Sequence, residues 1–377
     1  MLTLRDKLRA TQQSKRPAAP VRAPQDCFVR SERFPLPGGT HLSDGILPLM
    51  QGDPHLPQHP EVERLLFLDT ETTGLSHGAG TVAFLVGVGE IKGNELIVTH
   101  YLMRDYDEEI FVLRRVAEHL QRCQVLVTYN GRSFDMPLLA SRFVMQRMRV
   151  DVDEIPHADL LHTARRVWKL RLKKCNLAYL EELIFHEPRE DDLPGAEVPQ
   201  RYFDYLKSKD FSLLEDILRH NAQDIASLAR LLFALAGLHE HPLSAEHLQD
   251  IYSLGRVYEK RGRNQTARMC YRAADAGSMS ALSRERLADS LRREKRTEEA
   301  AAIYEKMIAS RQGGAKPYIA LCKLLEHRMK SPQAAADIAR RGLICLSDLP
   351  MDARNQADFD DLTHRYARLL QKCEKHG

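Results

Sequence analysis

The sequence predicts a mixed α/β domain followed by an all-helical array. Three observations predict it. The apolar run Leu65–Leu68 leads straight into Asp69, Thr70 and Glu71, the pattern of a buried strand with a polar end. Strand-like runs then alternate with helical spacings as far as Leu238. Beyond His241-Pro242 the strand signals stop, and a helical pattern begins to repeat.

Bulk properties set the limits. A chain of 377 residues with a 43% apolar fraction is long enough for two cored domains. The net charge of +3 is too small to mark the whole protein as a nucleic-acid binder, so any basic surface must be local. The 7 cysteines are far apart and show no metal spacing, which reads as reduced thiols in a cytoplasmic protein. No apolar run is long enough for a membrane span, and the N-terminus lacks the apolar core of a signal peptide.

Each element has a local reason. Residues 1–60 read as an arm. It begins with a short helix and a mobile Arg-, Lys-, Ala- and Pro-rich stretch. It continues with an edge strand over Cys27–Phe34, stopped at Pro35 and a Pro37-Gly38-Gly39 turn, and ends in a Pro- and His-rich linker from Gln51 to Pro60. The α/β domain spans 61–238. Leu65–Leu68, Thr81–Gly89 and Glu95–Leu102 form a meander of three strands. Ile110, Leu113, Ala117 and Leu120 have helical spacing. Val125–Thr128 is a fourth strand, ending at Tyr129-Asn130-Gly131, and Pro137 suits the first turn of a helix running to Met145. Ile155–Asp159 is the fifth strand, with a helix after it. Asn176 caps a helix over Leu177–Ile184, His186–Pro199 is an acidic loop, and a long helix covers Leu213–Leu238.

The helical region spans 243–377. Leu254-Gly255 with Tyr258, Ala267 and Tyr271 recurs as Leu287-Ala288 with Leu291, Ala300 and Tyr304, and again as Leu321-Cys322 with Leu325, Ala334 and Ile338. The offset of about 34 residues resembles that of tetratricopeptide repeats, whose helix pairs need small residues where they cross. The plainer alternative is a generic helical bundle. Met351–Gly377 reads as a capping helix.

The chemistry starts at Asp69 and Glu71. Two residues apart on a strand, they point to the same side. Two carboxylates pressed together at an apolar strand end are unfavourable unless a cation lies between them. Oxygen-only donors suit Mg²⁺ or Mn²⁺. Thr70, Thr72, Thr73 and Gly74 supply small or hydroxylated positions where a phosphate or sugar can approach. Taken singly, each piece has an ordinary reading: a strand-end pair caps a turn, Asp135 caps a helix, Asn130-Gly131 is a turn, and His220 with Asp224 is a surface pair.

Together, Asp69-Thr70-Glu71, then Asn130-Gly131-x-x-Phe134-Asp135, then His220-x-x-x-Asp224 resemble the RNase H-like DEDD 3′–5′ exonuclease superfamily. The resemblance covers about residues 61 to 238, and Asp159-Leu160-Leu161 and Asn176-Leu177-x-x-Leu180 look like that family's connecting segments. It implies an RNase H-like five-stranded mixed sheet with flanking helices. It also implies that Asp69, Glu71, Asp135 and Asp224 hold two divalent ions, Mg²⁺ or Mn²⁺, with His220 assisting. One departure stands out. His220 lies four residues before Asp224, the spacing of the family's tyrosine subclass, whereas the histidine subclass uses five.

The densest basic run is Arg165 to Lys174, with the single tryptophan, Trp168, inside it. A positive track beside an aromatic suits single-stranded nucleic acid, although a lone tryptophan is more often core, and the core reading is preferred here. Lys173 and Lys174 are candidate phosphate contacts, as Asn130 and Phe134 are candidate contacts to sugar or base. His77, His157 and His162 have no ligand spacing and read as structural or surface residues. The expected function is 3′–5′ phosphodiester hydrolysis on single-stranded DNA or RNA, with the repeats binding a protein partner or guiding substrate. An idle nucleic-acid binder and a protein-interaction scaffold are the rivals, and no motif separates DNA from RNA.

Overall fold

A computed structural model describes residues 26–36, 40–74, 80–189, 193–347 and 353–376. The expected N-terminal helix and mobile stretch, the Pro37-Gly38-Gly39 turn and His77 lie outside the described residues, as do both ends of the expected capping helix.

Two compact units emerge. The first gathers the described residues of Met1–Thr40, Pro60–Asp159 and Glu187–Arg230. Its centre is a six-stranded mixed sheet in the order β1-β4-β3-β2-β5-β6. The strands are β1 (Phe28–Pro35), β2 (Leu65–Thr72), β3 (Ala83–Lys92), β4 (Glu95–Leu102), β5 (Val125–Thr128) and β6 (His157–Asp159). β2, β3 and β4 form the antiparallel meander, while β5 and β6 add in parallel beside β2. The sixth strand corrects the expected five. It is the edge strand of the arm, paired antiparallel with β4 along its whole length. Arg30 fixes it with a bidentate bond to Glu215, Nη1 donating to Oε2 at 2.6 Å and Nη2 to Oε1 at 2.9 Å.

The helices of this unit follow from apolar spacing. On α2 (Glu109–Arg122), Val112, Leu113, Val116, Ala117 and Leu120 are buried. α3 (Asp135–Met145) is tied to α2 where the Arg142 guanidinium donates to both Glu109 oxygens, at 2.5 and 2.7 Å. α6 (Val198–Ser208) begins inside the stretch expected to be loop. Its Tyr202 ring stacks on Phe84 of β3 with centroids 3.9 Å apart, and the Tyr202 hydroxyl donates to the Met103 carbonyl at 2.9 Å. α7 (Ser212–Glu240) is the long helix, and its residues 212–230 belong to this unit. Its approach to the sheet needs glycine. A Cβ on Gly87 would meet Asn221 Oδ1 at 1.9 Å, and one on Gly89 would meet Ile225 Cγ2 at 2.6 Å.

The second unit gathers His41–His59, Leu160–His186 and the described residues of Leu231–Gly377. α1 (Ile46–Gln51) is a short helix that buries Ile46, Leu47 and Met50, so part of the expected arm is packed. α4 (Leu160–Trp168) buries Val167 and Trp168, and Trp168 is only 1% exposed, which makes its ring core. α5 (Leu177–Leu180) runs into a π-helical turn, and Asn176 stands at its N-cap without a side-chain capping bond. Helices then follow in sequence: α8 (Leu248–Lys260), α9 (Asn264–Ala273), α10 (Ser280–Arg293), α11 (Thr297–Ala309), α12 (Lys316–His327), α13 (Pro332–Ser347) and α14 (Ala353–His376). Gly255 sits at a close approach of α8 to α9: a Cβ there would meet Tyr271 Cε1 at 2.8 Å. Leu287 and Leu321 share one core with Ala267 and Ala300, and Leu254 is buried as well. No described helix is long and apolar enough to cross a membrane.

Candidate active site

Three elements of the first unit carry the four predicted acids. β2 is buried through Leu68 and then partly exposed from Asp69 to Thr72, so its apolar half anchors a polar tip. Its pairing with β3 shifts register between Glu71 and Thr72. Past the shift the chain bonds to itself: Thr72 Oγ1 donates to the Gly74 carbonyl at 2.8 Å, and the Val82 amide donates to Thr73 Oγ1 at 3.1 Å. Thr73 is therefore spent on holding the loop.

Asp135 opens α3. The preceding turn places it there. Asn130 adopts a left-handed φ of 68°, and its amide donates to Asp159 Oδ1 at 2.8 Å. The Arg132 amide donates to Asp159 Oδ2 at 3.2 Å. Gly131 has no room for a side chain, because a Cβ would meet Thr128 Oγ1 at 2.5 Å. Asp159, at the end of β6, thus shapes the turn that delivers Asp135. Thr70 Oγ1 donates to Asp135 Oδ1 at 2.5 Å and links strand to helix.

Asp224 comes from α7, one turn after His220, with His220 Nε2 3.6 Å from Asp224 Oδ2. On the same helix Asn221 Nδ2 donates to Asp69 Oδ2 at 2.8 Å. Asp69, Gly87 and His100 stand in register across β2, β3 and β4, so the bare Gly87 lets Asn221 reach the strand. Burial pushes the His100 imidazole down to about 4, which keeps it neutral under this row.

The electrostatics are those of crowded carboxylates. Burial, then the charges of Asp224, Asp135 and Glu71, hold Asp69 well above the usual carboxylate range, against the opposing bond from Asn221. Burial also raises Asp135 to about 6, although Thr70 and backbone amides bond to its charged form. A cavity of about 310 Å³ opens here. It is lined by Thr70, Glu71, Thr72, Gly74, Phe134 and Asp135, together with Val198 and Pro199 from α6. Phe134 is 49% exposed at this cavity. Asp69, Thr73, Asn130, His220 and Asp224 do not line it. Lys173 and Lys174 belong to the second unit.

Arg189 is the residue the sequence did not announce. Its guanidinium donates to Asp224 Oδ1, and its Nη1 lies 3.4 Å from His220 Nδ1. The Arg189 side chain is only 6% exposed. It lies in an acidic, Pro-containing loop with no periodic pattern, so nothing local signalled it. Asn221 had a faint signal, sitting beside His220 and three residues before Asp224. Gly87 and Gly89 within a strand marked a close approach, though not what approaches.

Among the described residues no three His, Cys, Asp or Glu side chains are arranged to hold a metal ion. The chemistry of the donors nonetheless fits one. The charges of Asp224, Asp135 and Glu71 raise the cost of a charged Asp69, all four acids offer oxygen, and Arg189 already supplies a positive charge to Asp224.

The chain is similar in sequence to known proteins. A model of the RNase_H superfamily matches residues 66–236, a span containing all four acids. The uncharacterized protein YprB of Bacillus subtilis (strain 168) is 30% identical over 318 residues, covering 82% of this chain and 75% of that protein. Among solved structures, the family B DNA polymerase from the hyperthermophilic archaeon Pyrobaculum calidifontis aligns with 18% identity and a TM-score of 0.38. That alignment covers 54% of this chain and only 30% of the polymerase. The superfamily fold points to nuclease activity on nucleic acid, and its members usually use divalent metals. With a superfamily match across residues 66–236 and a relative aligned over 82% of the chain, the chain belongs to the RNase H superfamily.

Proposed function

We propose that the protein is a metal-dependent exonuclease of the DEDD type that removes nucleotides from the 3′ end of single-stranded DNA or RNA. The observation that carries the reading is the crowding of Asp69 by Glu71, Asp135 and Asp224, beside a cavity lined by Glu71, Asp135 and small threonines. Asp69, Glu71, Asp135 and Asp224 would hold two divalent cations, Mg²⁺ or Mn²⁺. When bound, such a pair supplies an attacking water of lowered pKa and charge neutralisation at the leaving 3′ oxygen. The remaining roles fall to the chain itself. Thr70 holds the Asp135 carboxylate through its hydroxyl, and Asn221 orients Asp69. Phe134 offers an exposed ring at the cavity for a terminal base, and Thr72 and Gly74 leave space for its sugar. His220, one turn before Asp224 and 3.6 Å from its Oδ2, would accept the proton of the attacking water. The helical hairpins after His241 act as tetratricopeptide-like repeats that bind a protein partner.

A second reading, a nucleic-acid binder without cleavage, draws on the hold of Arg189 on Asp224. Mutation separates the two. Asp69→Ala or Glu71→Ala should fold normally and lose metal-dependent cleavage by on the order of 10³ or more. Wild-type protein that binds oligonucleotide but leaves it intact in Mg²⁺ and in Mn²⁺ would favour the idle binder.

A further inference from the structure

The second unit holds a concave, strongly basic groove of about 690 Å³ that the hydrolytic chemistry does not use. Arg165, Arg166 and Lys169 line it from α4 and the residues just beyond. Arg256 and Lys260 line it from the end of α8, and Arg286 from α10. The basic run found in the sequence therefore contributes here through its first half. Arg171, further along that run, is consumed by a buried ion pair of 2.8 Å with Asp250, which pins the run to α8.

One carboxylate, Glu259, reaches the groove, and it is already committed. Its Oε2 accepts from the Tyr271 hydroxyl at 2.6 Å, and its Oε1 accepts from Arg293. Arg286 stands 3.7 Å from it. Arg166 spends its donors on the carbonyls of His162 and Gln51, at 3.1 and 3.2 Å, and gains no negative charge from them. Among the described residues Arg165, Arg256 and Lys260 form no ion pair. Like charges gathered on a concave surface repel one another, and an anion entering between them relieves that repulsion.

We infer that this groove binds the phosphate backbone of single-stranded nucleic acid. The choice of nucleic acid over another polyanion rests on the nuclease reading above. Three further features favour it. Four of the six cations are arginines, whose planar donor forks match phosphate oxygens. The volume lies within the range of about 300–1,000 Å³ typical of ligand clefts. Leu170, 47% exposed, and Val257 give the same groove an apolar strip for sugar or base. Successive phosphates would take Arg165, Lys169, Arg256 and Lys260, with Arg166 and Arg286 at the back. An acidic protein segment is the competing occupant.

The test is fluorescence anisotropy of labelled 20-nucleotide dT and rU strands with the full chain, in excess chelator, across a salt series. Arg256 and Lys260 are exposed, so Arg256→Gln with Lys260→Gln should leave the fold intact, as circular dichroism will verify. Each lost phosphate contact lowers the log–log salt slope by roughly 0.7, so the double variant should lose about 1.4 of slope and roughly tenfold in affinity. Arg256→Lys with Lys260→Arg should restore both. Unchanged affinity and slope in the glutamine variant would overturn the assignment, as would a polyglutamate peptide held at these residues while neither strand binds. A chain that digests strands in Mn²⁺ but binds them without these residues loses the groove assignment and keeps the nuclease reading. A chain that digests nothing, yet binds strands through them, keeps the groove and loses the nuclease.

Discussion

At the scale of single residues, the site is a set of acids held at high electrostatic cost. Asp135 illustrates the consequence. Its pKa is raised to about 6 from a reference of 3.8. The folded chain therefore binds the proton more tightly than the unfolded chain. That contribution to stability is complete below the unfolded pKa and is lost as pH rises through about 6. Asp135→Asn should accordingly melt a few degrees above wild type at pH 7.5 in chelator, with the gap closing near pH 4. A wild type that melts higher at both pH values would show that the carboxylate is not strained. Arg189 leads to a second expectation. Because its guanidinium occupies Asp224, it competes with a cation for that carboxylate. Arg189→Ala should tighten Mn²⁺ binding roughly tenfold in calorimetry, an effect of the size seen for groups that orient metal ligands. Unchanged or weaker binding would make Arg189 a support rather than a competitor. The four acids were visible as candidates in the sequence because motif order and spacing carry them. Arg189 was not, because only the fold brings its loop to α7.

At the scale of elements, local pattern worked where periodicity was clean and failed where it was short. The apolar run of β2, the spacing of α2 and the length of α7 were readable, since burial imposes their periods. α6 was missed because Pro199 and the acidic stretch before it look like loop, while its buried face rests mainly on Val198, Tyr202 and Tyr205. α1 was missed because six residues, one of them Pro48, leave too little periodicity to recognise. β1 was read as a strand, yet sequence cannot say that an edge strand joins a sheet formed much later in the chain. Gly87 tests how the elements meet. Gly87→Val should push α7 away from β3, because even a Cβ collides with Asn221 and Ile225. We expect destabilisation of about 2–3 kcal/mol in urea unfolding, the usual cost of overpacking. A variant as stable as wild type would mean that the contact between α7 and β3 is loose.

At the scale of the whole molecule, the chain does not divide where its texture changes. His241-Pro242 looks like a boundary in the sequence, yet Leu160–His186 packs with the helices that follow it. Within that unit α4 lies against α8, and Arg171 pairs with Asp250. A fragment ending at Leu238 would thus strip the partners from Val167 and Trp168, and it should be poorly soluble and open to proteolysis. Sequence could not anticipate this, since the two partners are separated by the entire stretch that carries α6 and α7. A metal-dependent site of four acids acting from a free 3′ end has a direct experimental consequence. The full chain is given a 5′-labelled linear single strand and the same strand closed into a circle, with Mn²⁺ and with excess chelator. Such a site requires stepwise shortening of the linear strand in Mn²⁺, an intact circle, and no cleavage in chelator. Cleavage of the circle, or shortening that persists in chelator, would contradict it.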